Sequence, residues 1–251
     1  MHPALRLGDS DFSIACGLRL GLRLHPLIAS KSCVCGEEQD PYGEHALRCV
    51  SAAGGRIRRH DTLVAAWAHV IRTTGRTVTA EVSLYKLGIV AVEDARKRMD
   101  LVGVDPLTYW DVVATHPGGC RENVSSRNPG SAAEAAARGK HRTYDAPAKS
   151  SGAKVVPLAC ETFGCWAKEA VETVKLAAAQ AGHRSTNLGD RPLPKSVFIG
   201  RYWAELGVAL QRGNAALIRG RAMAGLDRHT AGHRRTTFLA GEDALLSVEG
   251  A

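Results

Sequence analysis

The chain has 251 residues, 45% of them apolar, which is enough for a sizeable hydrophobic core. No apolar run approaches the ~18 residues of a membrane-spanning helix, and the N-terminus shows neither a signal-peptide core nor a small-residue cleavage site. A net charge of +8 suits a polyanionic partner such as nucleic acid, or serves solubility alone, while 5% aromatic content argues against a single-strand stacking platform.

In chain order, the first 32 residues carry a Leu/Arg-rich stretch, Leu18 to Leu24, that reads either as a strand or as a helix end cut short by Gly21. A cluster of cysteines and a histidine spans 33–49, and a break at Ala52-Ala53-Gly54-Gly55 follows. A helix is expected over 61–74, with Asp61 as N-cap, Leu63, Trp67, Val70 and Ile71 on one face, and Gly75 as the stop. Residues 77–85 read as a strand.

Two short apolar strands come next, Arg98 to Val104 and Thr108 to Ala114, with Asp105-Pro106 as the turn of a tight hairpin. A Gly/Pro-rich loop covers 117–130, and a helix over 131–144 opens on a capping box of Ser131 and Glu134. A polar linker is expected over 145–152, then a strand at 154–160 that Pro157 places near an edge or bulge. Helices over 166–181 and 197–224 close the pattern, with Gly182 and Gly213 as breaks and a loosely held basic, then acidic, tail. This order predicts an α/β fold, a mixed sheet flanked by helices. It divides into an N-terminal segment at 1–55, a core at 56–182 and a helical C-terminal extension at 183–251.

Seven cysteines, odd in number and unevenly spaced, do not make a secreted disulfide framework. Cys33-x-Cys35-x9-His45-x3-Cys49 instead gathers four ligand types suited to tetrahedral Zn²⁺ within 17 residues. The bland reading is a chance cluster of buried thiols. His116, Cys120, Cys160 and Cys165 fit no ligand spacing and read as core or loop residues.

Asp100 and Asp111 are the sharpest candidates. A carboxylate on a buried strand is costly unless it is paired or binds a cation. Hairpin register could bring both to one face, where they could share a divalent metal; otherwise they are strand-end carboxylates facing solvent. Lys140 and Tyr144, four apart on one helix face, could meet a scissile phosphate or form a solvated helix end. Glu81 could add a further acid, or simply be exposed. Arg58, Arg59 and His60 could contact DNA phosphate, or lie solvated beside a capping Asp61.

In this order, the Cys/His cluster, Arg59-His60-Asp61, Arg98-Met99-Asp100, Asp111-Val112-Val113, Ala132 to Tyr144 and Val156 to Gly164 resemble a known family. They are similar to the C-terminal region of site-specific non-LTR retrotransposon polyproteins, which carries a zinc knuckle and a restriction-like endonuclease of the PD-(D/E)XK type. The resemblance covers roughly residues 15–220 in order. It implies a restriction-endonuclease-like fold behind a CCHC zinc knuckle. Asp100 and Asp111 would hold Mg²⁺ or Mn²⁺, Cys33, Cys35, His45 and Cys49 would hold structural Zn²⁺, and Lys140 would be the displaced lysine of the motif. The reaction implied is nicking of one target-DNA strand, whose freed 3′-hydroxyl primes reverse transcription. DNA would be the partner, the element's RNA a second one, and the location nuclear or intracellular.

The sequence departs from the pattern at Met99, where a proline is expected, and at Val113, where the lysine would otherwise stand. No Tyr-x-Asp-Asp of a reverse transcriptase occurs. A catalytically inactive nucleic-acid-binding remnant of the same region is the alternative. An unrelated zinc-stabilised interaction protein would instead place Asp100 and Asp111 far apart.

Overall fold

The computed structural model describes residues 5–24, 33, 35–51, 53–88, 97–119, 128–187 and 193–242, as backbone alone at 53, 185–187 and 222–242. Helix α1 (Asp9–Leu20) ends at Gly21, whose φ of 62° is the left-handed stop that glycine adopts without strain. The Leu/Arg-rich stretch is therefore a helix end and not a strand. A single turn, α2 (Glu44–Arg48), follows the Cys/His loop.

Helix α3 (Ala53–Arg72) starts well before the expected 61 and runs through Gly54 and Gly55. Gly55 serves close packing: a Cβ on it would lie 3.2 Å from Leu217 Cγ. Asp61 is consequently inside the helix and caps nothing. Strand β1 (Val78–Ser83) is followed by β2 (Arg98–Val104) and β3 (Leu107–Thr115), joined at Asp105-Pro106 as the hairpin reading requires.

Helix α4 (Ser131–Ser150) continues through the expected linker and past Pro147. It is drawn on by Ala148, which is buried in the cluster under the hairpin. No capping box forms: Gly130 precedes the helix in a left-handed conformation, and Glu134 accepts the Lys168 N–H instead. Strand β4 (Lys154–Glu161) leads to α5 (Lys168–Asn187) and the long α6 (Lys195–Glu242), which Gly182 and Gly213 do not break.

The sheet order is β1-β2-β3-β4, with β1, β2 and β3 antiparallel and β4 parallel to β3. The α/β class with a mixed sheet flanked by helices is thus observed. Pro157 lies on the edge strand β4, where its missing N–H is tolerated. Beyond it, residues 165–167 cover the outer side of that strand, through the Cys160–Trp166 bridge and the Ala167 N–H to Ala159 C=O bond.

The main core lies between the sheet and helices α3, α5 and α6. Leu63, Trp67, Val70, Leu101, Leu158, Val174, Leu206 and Leu210 are fully buried in it, each contributing about 1.5–3 kcal/mol by leaving water. Met99, Val102 and Tyr109 pack in a second cluster that Ala148 of α4 closes. A third joins Ile14, Leu18, Leu24, Leu47, Leu217 and Ile218, so α6 is the floor of the N-terminal segment as well as a wall of the core. The boundaries expected at 55/56 and 182/183 fall inside α3 and α5, and α6 is integral to the core, not an extension. The last nine residues, 243–251, lie outside the described residues, as do 120–127 of the expected loop.

Candidate metal and phosphodiester site

Strand register assembles the first site. Ala80 pairs with Leu101 and Val82 with Met99, which sets Glu81 opposite Asp100. Leu101 pairs with Trp110, which sets Asp100 opposite Asp111 one rung further on. Three carboxylates therefore form a row across β1, β2 and β3. The β2–β3 ladder stops at this row, and the Val112 N–H donates to Asp100 Oδ2 at 2.6 Å. Alternation in β2 breaks at the same place, since Met99 and Val102 share one cluster while Leu101 lies in another. Glu81 adopts a φ of 55°, a conformation that costs a non-glycine residue of order 1–2 kcal/mol.

Two helices supply cations to the row. From α3, His60 Nε2 lies 3.0 Å from Asp100 Oδ2, and this hydrogen bond outweighs burial to raise the imidazole to about 9. Ligand atoms of His60, Glu81 and Asp100 all lie within 4.8 Å of one another. From α4, Lys140 Nζ lies 2.6 Å from Asp111 Oδ2, an ion-pair distance without the alignment of a good hydrogen bond. Asp111 is 2% exposed. Burial, with the charge of Asp100, pushes its carboxyl up to about 6 despite the opposing pull of Lys140. The Tyr144 ring centroid is 5.8 Å from Lys140 Nζ, so the four-residue spacing does put both on one face.

These groups line a cleft of about 460 Å³. Arg56, Arg98 and the exposed Ile57 and Val50 lie on its walls with His60, Asp100, Asp111, Lys140 and Tyr144. α4 is held in place by Glu161 of β4, whose buried carboxylate accepts the Ala132 N–H in the helix's first turn. That anchor fixes where Lys140 falls, and its 29-residue separation gives no sequence signal.

The basic triplet divides. Arg58 is exposed, and His60 turns inward to Asp100. Arg59 is 3% exposed and donates to Asn214 Oδ1 and the Ala114 carbonyl, so it ties α3 to α6 at the wall of the cleft. Burial lowers its guanidinium to about 10. His116 and Cys160 are buried, and burial, aided by Arg48 and Arg59, lowers His116 to about 4. Cys120 lies outside the described residues.

The second site is the Cys/His cluster. The ligand atoms of Cys33, Cys35, His45 and Cys49 lie within 4.8 Å of one another. Cys33 Sγ and Cys49 Sγ are 3.6 Å apart, and Cys35 Sγ is 3.4 Å from His45 Nε2. A tetrahedral ion with Zn²⁺ bond lengths needs separations of about 3.7 Å and about 3.5 Å respectively. The donor set and its spacing fit such an ion.

Asp40 builds the turn that presents His45, accepting the N–H groups of Tyr42, Glu44 and His45. Burial would raise its carboxyl, but those bonds hold it below the usual range. Glu37 Oε2 is 3.1 Å from His45 Nδ1, on the far side of the ring from Cys35, though not aligned as a full hydrogen bond. Burial would likewise raise the Cys33 thiol, but the Cys35 N–H, His45 and Cys49 outweigh it and bring it to about 6.

No protein-family model matches this chain, and no curated protein matches it. Among the described residues no helix is long and apolar enough to cross a membrane.

Proposed function

We propose that the chain is a metal-dependent DNA endonuclease, a zinc-knuckle and restriction-like region that nicks target DNA for retrotransposon integration. The observation that carries this reading is the convergence of Asp100, Asp111 and Lys140, from two strands and a helix, in one cleft. An unrelated interaction protein has no need to set two buried carboxylates in one cleft, one against a lysine and the other against a histidine.

Asp100 and Asp111, with Glu81 beside them, would hold Mg²⁺ or Mn²⁺. The fit rests on Asp111, whose buried Oδ2 lacks a well-aligned donor and whose carboxyl is held high by burial and by Asp100. When bound, the ion supplies charge stabilisation on the phosphate oxygens and a more acidic water.

The protein's own residues do the rest. Lys140, the only one of the trio with a mobile charged tip, neutralises charge that develops on the scissile phosphate. His60 and the Val112 N–H hold Asp100 in one orientation. Tyr144 bounds the space into which Lys140 can swing. Arg56 and Arg98 bind flanking phosphates without reading sequence. The mixed sheet flanked by helices, the Cys/His cluster preceding it and the net charge of +8 agree with this assignment.

The test is nicking of supercoiled plasmid with Mg²⁺ or Mn²⁺ by the wild type, Asp100→Ala and Asp111→Ala. Conversion to open circles by the wild type alone is expected. A folded, zinc-loaded wild type that binds DNA and leaves it closed would mark a non-catalytic binding module.

A further inference from the structure

Arg221 projects from α6 into the Cys/His cluster. Its Nη1 lies 3.4 Å from Cys33 Sγ and its Nη2 3.7 Å from Cys49 Sγ. It is 7% exposed, and among the described residues no carboxylate comes within ion-pair distance of it. A buried guanidinium without a counter-ion is strongly unfavourable, and neutral thiols are weak acceptors. The cluster resolves this conflict once it holds a divalent ion. Three thiolates and a neutral imidazole around a 2+ ion leave one net negative charge, and the two sulfurs that Arg221 touches carry part of it.

The surrounding packing ties that charge to the position of α6. Leu24, Ala46 and Leu47 of the N-terminal segment pack on Ala215, Leu217 and Ile218 of the same helix. Gly43, with a φ of 79°, lets the turn before α2 approach so closely that a Cβ there would lie 2.8 Å from Leu24 and 3.1 Å from Ile218. Arg219, two residues before Arg221, pairs with Asp11 of α1. α6 also carries Asn214, which binds Arg59, and Arg59 in turn lies in the helix that presents His60.

We propose that Arg221 is the counter-charge of a metal–thiolate cluster at Cys33, Cys35, His45 and Cys49, so that metal loading and the seating of α6 against the N-terminal segment are one linked equilibrium. This rests on the zinc reading of the cluster. Arg221 is a positioning residue: it coordinates nothing and acts through the sulfurs. Linkage requires the coupling to run both ways, with the ion tightening α6 and Arg221 tightening the ion by the same factor.

The full chain is loaded with Zn²⁺ or Co²⁺, and its metal affinity is measured by chelator competition for the wild type, Arg221→Met and Arg221→Lys. Hydrogen exchange across α6 is followed in the wild type with and without chelator. Loss of an outer partner of this kind weakens metal affinity about 10–100-fold. Arg221→Met is expected in that range and Arg221→Lys between it and the wild type. The Co²⁺ form should remain tetrahedral, with its sulfur-to-metal charge-transfer band shifted once the guanidinium bonds are gone.

Chelation should speed exchange around residues 214–221 while Val112 and Leu158 keep their protection. Metal affinity of Arg221→Met within about 3-fold of the wild type would overturn the proposal, whatever the fate of the zinc reading. So would unchanged α6 exchange after the metal has been stripped from the wild type, an arm that holds even if the Met variant fails to fold. A wild type that binds neither ion defeats the zinc reading itself, and the proposal with it.

Discussion

The two candidate sites are built in opposite ways. The Cys/His cluster draws its four ligands from one stretch of 17 residues, shaped by the Asp40 turn and the short α2. The carboxylate site draws His60, Glu81, Asp100, Asp111 and Lys140 from α3, β1, β2, β3 and α4, and only strand register together with helix packing makes them neighbours. A local site of this kind would take part of its shape from an ion it held, and its segment otherwise rests on Ala215, Leu217 and Ile218 of α6. A non-local site is held by the whole fold and can afford two unfavourable features, a buried carboxyl raised to about 6 and a left-handed Glu81.

Perturbing each site in turn tests that contrast. The largest effect is expected from Cys49→Ser. It should abolish stoichiometric zinc loading, read by metal analysis, and expose amides of residues 35–49 to exchange, while the sheet keeps its protection. Simultaneous collapse of the sheet would show that the two regions are one cooperative unit. Asp100→Ala should leave zinc content untouched and reduce plasmid nicking by ~10³-fold or more, with Lys140→Met losing ~10²-fold. Nicking retained in the lysine variant would remove Lys140 from the chemistry and leave it only an ion-pair partner of Asp111.

Asp111→Asn should separate stability from activity. The folded carboxyl keeps its proton up to about pH 6, while in the unfolded chain it ionises near 4. The wild type without divalent metal therefore loses stability as pH rises from about 4 to about 6 and stays lowered above that. The asparagine variant should lack this slope and be more stable at pH 7 by ~2 kcal/mol in urea melts, while losing nicking. Equal stabilities at pH 7 would mean that Lys140 fully compensates the buried charge. The smallest effect is expected from Glu81→Gly, which relieves the left-handed backbone by ~1 kcal/mol and weakens binding of divalent metal. A destabilised glycine variant would indicate that the Glu81 side chain matters more to the folded state than its backbone conformation.

Much of the fold is legible in the residues because its signals are local. The β2–β3 hairpin, its Asp105-Pro106 turn, the edge position of β4 and the apolar faces of α3 and α5 all follow from periodicity and turn chemistry. The misplaced boundaries have tertiary causes. Gly54 and Gly55 look like a break until Leu217 is packed against Gly55, and Pro147 looks like a stop until Ala148 is buried beneath the hairpin. Within the cleft, Asp100, Asp111 and Lys140 stand out as charges on apolar or Ala-rich segments. The partnership of His60 with Asp100 spans 40 residues and leaves no such mark. Arg59 looks like its basic neighbour Arg58 in sequence, and only its contacts with Asn214 and the Ala114 carbonyl distinguish them. Arg221 lies 172 residues from Cys49 and is invisible without the structure.

Pro157 bears on how the molecule can meet a second copy of itself. A sheet grows by offering a continuous row of free N–H and C=O groups along its edge. β4 lacks a donor at Pro157, and its outer side is already occupied beyond that point by residues 165–167. At the opposite edge, β1 leaves its regular conformation at Glu81. Neither margin offers a full-length template for strand addition. If cutting the second DNA strand calls for another copy, the two would meet through helices and loops, leaving each cleft with its own row of carboxylates.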